Sequence, residues 1–164
     1  PVLGICLGMQ LMCKYSEENE TDCLGIFDEE VKLFKVDEEV ANADSFAKDA
    51  DSKKIAHHPS PLGEARPDDQ RGRGSGVRLK IPQIGWNQIF DLKSPLFDNV
   101  PENSYCYFVH GYYAAYGKDT IATTDYIQPY SAGLHRDNFY GVQFHPEKSA
   151  NVGELILKNF ITKC

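Results

Sequence analysis

The chain has 164 residues, 41% of them hydrophobic and 12% aromatic, which fits one domain able to bury a core of its own. Seventeen Lys and Arg against 24 Asp and Glu give a formal charge of −7, which argues against a general nucleic-acid or membrane-surface binder. No apolar window approaches membrane-spanning length and no secretory signal opens the chain; five cysteines without a Cys-x-x-Cys pair fit neither a disulfide framework nor a zinc site, and suit a reducing cytosol.

The chain opens on Pro1 rather than Met, inside what reads as a buried strand, so a processed or truncated product is expected. Pro1 to Met12 reads as a short apolar strand running into a helix, with Cys6 at the junction. Gly4 and Gly8 flank that cysteine at the spacing of a nucleophile elbow, where a side chain would collide with neighbouring backbone. The amino end of the helix would favour a thiolate. A buried structural cysteine is the equally simple alternative. The helix should span about Met9 to Tyr15, followed by strands at Leu24–Phe27 and Val31–Phe34 around an Asp28-Glu29-Glu30 turn.

From Val36 to Gly76 large apolar residues are scarce, and such a segment cannot bury enough surface to offset its ordering entropy. Asp37 to Ile55 could form a solvated helix, and the Pro- and Gly-rich remainder an extended loop. Arg66, Arg71, Arg73, Arg78 and Lys80 could meet an anionic ligand or partner, but composition favours a solvated insertion. Order resumes at Ile81–Ile89; Ser104–His110 reads as a central strand and Thr120–Ile127 as another. Ser131–Leu134 and Phe139–Phe144 flank Arg136-Asp137-Asn138 as a hairpin. The last element is a helix capped by Asn151 and Glu154, with Val152, Leu155, Ile156 and Phe160 on one face. The pattern is that of an α/β or α+β single domain.

The second stretch suited to chemistry is Gln143 to Ser149. His145 ends an apolar strand that Pro146 stops, and catalytic groups of α/β folds gather at carboxyl ends of strands. His145 could therefore meet Cys6 as its base, with Glu147 bending back to fix the imidazole. Alone, the stretch would be a polar strand exit; with the cysteine upstream, a triad is favoured. His110 competes as base but has no nearby carboxylate in sequence, and His57, His58 and His135 read as surface residues. No metal-ligand spacing is present, and no cofactor is expected.

Gly4 to Gln10 taken with Phe144 to Glu147 resembles the class I (triad) glutamine amidotransferases. Cys23–Phe27, Gly85-Trp86-Asn87, Tyr107–His110 and His145–Ser149 are most similar to the branch formed by glutaminase subunits of imidazole glycerol phosphate synthase, in histidine biosynthesis. The resemblance implies a flavodoxin-like α/β domain with a central mixed sheet flanked by helices. It implies that Cys6 attacks the amide carbon of glutamine, His145 shuttles protons and Glu147 orients His145. Leu7, Gly8 and Gln10 would bind substrate, the Leu7 N–H as an oxyanion donor, together with the backbone around His110, Gly111 and Tyr112. Ammonia would pass to a (β/α)₈-barrel synthase partner in a heterodimer, with Trp86, Asn87, Tyr107 and Lys148 at or near the interface. Gly111 stands where the family usually has Ser, and the insertion is long. The strands and glycine loop that precede the nucleophile in the family have no counterpart here, so weak or absent glutaminase activity and an open sheet edge beside Cys6 are expected. Other readings are a glutaminase of another class I amidotransferase, and an inactive fragment that only binds a partner.

Overall fold

The computed structural model describes residues 1–35 and 80–164. The insertion expected at about 36–76 lies outside the described residues. β1 (Val2–Ile5) runs parallel to β10 (Phe139–Val142), which is followed by antiparallel β9 (Pro129–Arg136) and β8 (Thr120–Asp125), so the sheet is mixed, in the order β1-β10-β9-β8. A second sheet has the order β3-β2-β4-β7, from Thr21–Asp22, Tyr15–Ser16, Glu30–Leu33 and Tyr112–Ala114. β5 (Gln83–Ile89) and β6 (Ser104–His110) form an antiparallel pair, tied to the first sheet by a bridge between Phe90 and Thr123. The hairpin expected around Arg136–Asn138 is the β9–β10 pair.

Several expected elements change. Among the described residues β1 pairs on one side only, and Val2 is exposed rather than buried. The first helix, α1, is Leu7–Met12, not Met9–Tyr15, because Cys13 is extended and Tyr15 pairs with Asp22 and Glu30. Leu24–Phe27 forms no strand. Its N–H groups turn to the end of α1 instead: Leu24, Gly25 and Phe27 donate to the carbonyls of Leu11, Cys13 and Met12 at 2.9, 2.9 and 2.8 Å. Carbonyls that the last helical turn cannot satisfy are thereby satisfied. β6 is not central: among the described residues it pairs with β5 alone, Cys106 and Phe108 facing in, Tyr105 exposed and Tyr107 half-buried.

α2 (Ala150–Lys163) packs against β6 and the Pro95–Phe97 turn with Ile156 fully buried on the expected face. Asn151 and Glu154 do not cap it; Ser149 occupies the cap position. Buried Asn159 pins the helix by donating to the carbonyls of Leu96 and Asp98 at 3.1 and 2.8 Å. Phe34, Phe108, Tyr130, Phe144 and Ile156 form the larger core, and Met9, Phe27, Val31 and Leu134 a smaller one under α1. Gly141 admits Met9 to that core: a β-carbon there would lie 2.4 Å from Met9 Cγ.

Candidate active site

Cys6 sits where β1 ends and α1 begins, with φ 51° and ψ −108°. Left-handed backbone at a non-glycine residue costs about 1–3 kcal/mol and persists where the surroundings over-determine it. Here the Cys6 N–H donates to Val142 O at 2.8 Å, and its carbonyl accepts from Met9 and Gln10 at 3.1 and 3.2 Å. Gly4 makes this turn possible, since a β-carbon there would lie 2.7 Å from the Gly8 carbonyl carbon and oxygen. Gly8 is different: a β-carbon would meet nothing within 4 Å, so the expected collision applies to Gly4 alone. The Cys6 thiol is half-buried and its Sγ lies 3.8 Å from Val109 O. Burial pushes its pKa up; the Leu7 N–H and the Gln143 side chain pull it down, and the charge of Glu147 raises it. The net direction is upward, against the expected thiolate, because burial outweighs the donors of a helix only six residues long.

His145 follows the end of β10, beside the end of parallel β1. Its N–H donates to Tyr107 O at 2.9 Å, and its carbonyl accepts from Ser149 Oγ at 2.6 Å. Ser149 Oγ in turn accepts from the Tyr107 N–H at 3.0 Å, so one hydroxyl staples the loop to β6. Gly153 adds close packing, the helix backbone lying directly on the Pro146 carbonyl. His145 Nδ1 lies 2.6 Å from Glu147 Oε1. A carboxylate only accepts, so Nδ1 carries a hydrogen, and in the neutral tautomer this selects, Nε2 is the nitrogen with the lone pair. That Nε2 is buried and has no hydrogen-bond partner, so Cys6 and His145 stand at neighbouring strand ends without a hydrogen bond between them.

Beneath Cys6 runs a chain of polar groups. Gln143 Nε2 lies 3.7 Å from Cys6 Sγ; Gln10 Nε2 donates to Gln143 Oε1 at 3.0 Å and to Tyr112 O at 2.8 Å. His110 Nδ1 also donates to Tyr112 O at 2.8 Å, and its Nε2 lies 3.1 Å from the Tyr130 hydroxyl. Burial pulls the His110 pKa down to about 4, with help from the charge of His145 and against its bond to Tyr112. A neutral imidazole uses its hydrogen on Tyr112, and the Tyr130 hydroxyl beside Nε2 gives its own hydrogen to Gln83 Oε1 at 2.7 Å. The Gly111 carbonyl accepts from the Phe34 N–H at 3.2 Å. The carbonyls at 111 and 112 are therefore engaged inside the protein, and His110 points into the core rather than serving as a second base. Gly111 has room for a side chain, its nearest neighbour being Pro82 Cβ at 3.9 Å.

A cleft of about 290 Å³ opens beside the elbow, lined in part by Leu7, Gln10, Glu18, Asn19 and Cys23. Glu18, which sequence reasoning misses, sits in a one-turn segment held by its N–H bond to Ser16 Oγ at 3.1 Å. The turn bends through positive φ at Asn19 and Glu20, 56° and 48°, and Asn19 is its one local signal inside a polar run. Elsewhere, Trp86 is 45% exposed and packs edge-on against Tyr107 at 6.0 Å. Asn87 Nδ2 donates to Thr124 Oγ1 and Asp125 O at 3.1 and 2.8 Å, joining β5 to β8, and Lys148 is exposed.

A family model described as glutamine amidotransferase class-I matches residues 1–164. The imidazole glycerol phosphate synthase subunit HisH of Bacteroides fragilis is 45% identical over 161 residues, covering 98% of this chain and 63% of that protein. Proteins of the same name from Bacteroides thetaiotaomicron and Shewanella loihica are 42% and 37% identical, over 98% of this chain and 63% and 58% of theirs. The chain thus spans less than two thirds of the length of these relatives. Among solved structures, one described as a GMP synthase protein of Thermoplasma acidophilum overlays with a TM-score of 0.55 at 17% identity, covering 98% of this chain and 55% of that one. That likeness is one of fold, and it agrees with the α/β architecture above.

Proposed function

Because this chain belongs to the class I glutamine amidotransferase family, we propose that it hydrolyses glutamine to glutamate and ammonia as the glutaminase of an imidazole glycerol phosphate synthase. The observation that carries the reading is the strained Cys6 elbow at the same sheet end as an imidazole whose Nε2 is buried and free to accept. The Cys6 Sγ–H turns away from Val109 O and gives its proton to His145 Nε2 as the sulfur attacks the amide carbon. The Leu7 N–H meets the oxygen that becomes negative, a contribution of about 3–4 kcal/mol in comparable sites. His145 then returns the proton to departing ammonia, and water cleaves the thioester with His145 again taking a proton. Glu147 holds the required tautomer. Gln10 and the open face of Gly8 border the incoming substrate, and the Glu18 carboxylate suits its α-ammonium.

The outward face of β5 and β6, with Ile84, Trp86, Tyr105 and Tyr107, is the surface we assign to a barrel synthase partner that consumes the ammonia, in histidine biosynthesis and in the cytoplasm. Exposed aromatics grouped this way anchor protein interfaces. Val109 continues the same face and its carbonyl lies at the Cys6 sulfur, which makes a short path for ammonia from site to partner.

The test is labelling by a chloroketone analogue of glutamine followed by peptide mass spectrometry. Cys6 should carry the adduct, and free glutamine should protect it. An unlabelled Cys6 in folded protein would favour the reading in which the chain only binds a partner.

A further inference from the structure

Hydrogen-bond polarity fixes the amide under Cys6. The carbonyl of Tyr112 can only accept, so the Gln10 group 2.8 Å from it is the amino group, Nε2. The second hydrogen of that group points to Gln143 at 3.0 Å, and what receives it must be Oε1. Gln143 then turns its own Nε2 to Cys6, 3.7 Å from Sγ. Gln143 is completely buried and Gln10 only 6% exposed, so neither amide can turn over without stranding a polar atom away from water.

From this chain of polarity we infer that Gln143 is a catalytic residue, its Nε2–H donating to the Cys6 sulfur in the thiolate state, with Gln10 acting through it as a positioning residue. The inference rests on Cys6 being the nucleophile. When the proton leaves Sγ for His145 Nε2, the sulfur loses its own donation to Val109 O and becomes an acceptor only. The N–H groups of Gln143 and Leu7 are then the donors that meet the new charge. Burial opposes that charge, and a donor locked in place before the proton moves needs no rearrangement to counter it.

The test is the pH dependence of Cys6 alkylation by iodoacetamide in the intact protein, read by peptide mass spectrometry, alongside glutamine turnover. Gln143→Leu should move the alkylation midpoint up by about one pH unit, a tenfold loss of thiolate at neutral pH. kcat should fall about tenfold with KM within about twofold, the pattern of a lost transition-state contact. Gln10→Leu leaves Gln143 in place but frees its amide to turn over, and its midpoint should move the same way. Unchanged midpoints in both variants, each folding cooperatively by Trp86 fluorescence, overturn the inference. If Gln143→Leu does not fold, isosteric Gln143→Glu decides: an oxygen facing the sulfur must raise the midpoint, and an unchanged or lowered one overturns the inference. Cys6→Ala addresses the underlying reading separately, since retained glutamine turnover there sinks the nucleophile while the alkylation midpoints still report on Gln143.

Discussion

Gly153→Ala tests how α2 sets the His145 loop. A β-carbon at this position would lie 1.8 Å from Pro146 O, 2.7 Å from its carbonyl carbon and 3.0 Å from its α-carbon. The obstacle is backbone, so no side chain can swing aside, and helix and loop must part by more than about 1 Å to restore an ordinary contact. The Ser149 N–H bond to Pro146 O at 3.0 Å and the Gly153 N–H bond to Ser149 O at 3.1 Å stand in the way of that separation. Overpacking of this depth belongs at the upper end of its range, about 3 kcal/mol, and alanine's better helix propensity returns about 1 kcal/mol. A net loss of about 2 kcal/mol lowers Tm by about 4–8 °C in a chain of this size. Displacement of His145 should also reduce kcat about 100-fold, since misplacement of a reacting group by about 1 Å has that scale. Urea unfolding followed by Trp86 fluorescence and a glutaminase assay measure the two effects. A variant as stable and as active as the parent would refute the claim that Gly153 is small in order to seat the loop.

Three further outcomes are expected. Gly8→Ala, whose new methyl meets nothing, should leave Tm unchanged or raise it by a few degrees while increasing KM for glutamine; a fall in Tm contradicts the geometry. Ser149→Ala removes the hydroxyl shared by Tyr107 and His145 and should cost about 1–3 kcal/mol in urea unfolding together with activity. His110, held neutral with a pKa of about 4, binds its proton more readily in the unfolded chain, so its contribution to stability is complete above about pH 6.5 and lost as pH falls toward 4, about 3 kcal/mol in all. His110→Gln should therefore flatten the acid limb of a stability-versus-pH curve, and parallel curves for parent and variant would contradict this.

The parts legible in the sequence were those with local signals: the elbow at Cys6, the hairpin around Asp137, and the apolar face of α2. Ser104–His110 misled because Tyr105 and Tyr107 extend a run that reads as buried on both faces, whereas they lie on the outward side of a two-stranded pair. Leu24–Phe27 misled because its residue types suit a strand while its N–H groups serve the end of α1, a long-range pairing that composition does not record. Glu18 was hidden in a polar run and Gln143 in an apolar one. The importance of Gln143 follows from who donates to whom across four residues distant in sequence, and that emerges only once the chain is folded.

Ser149 also explains why the start of α2 is hard to read. Its hydroxyl is turned to the His145 carbonyl and makes no capping bond to the helix. A serine cap is ordinarily worth about 1 kcal/mol, so the helix gives up that reinforcement to keep the imidazole loop in register. The two bonds it keeps instead are worth at least as much, so refitting this hydroxyl to the helix end would loosen the base and leave the fold no sturdier.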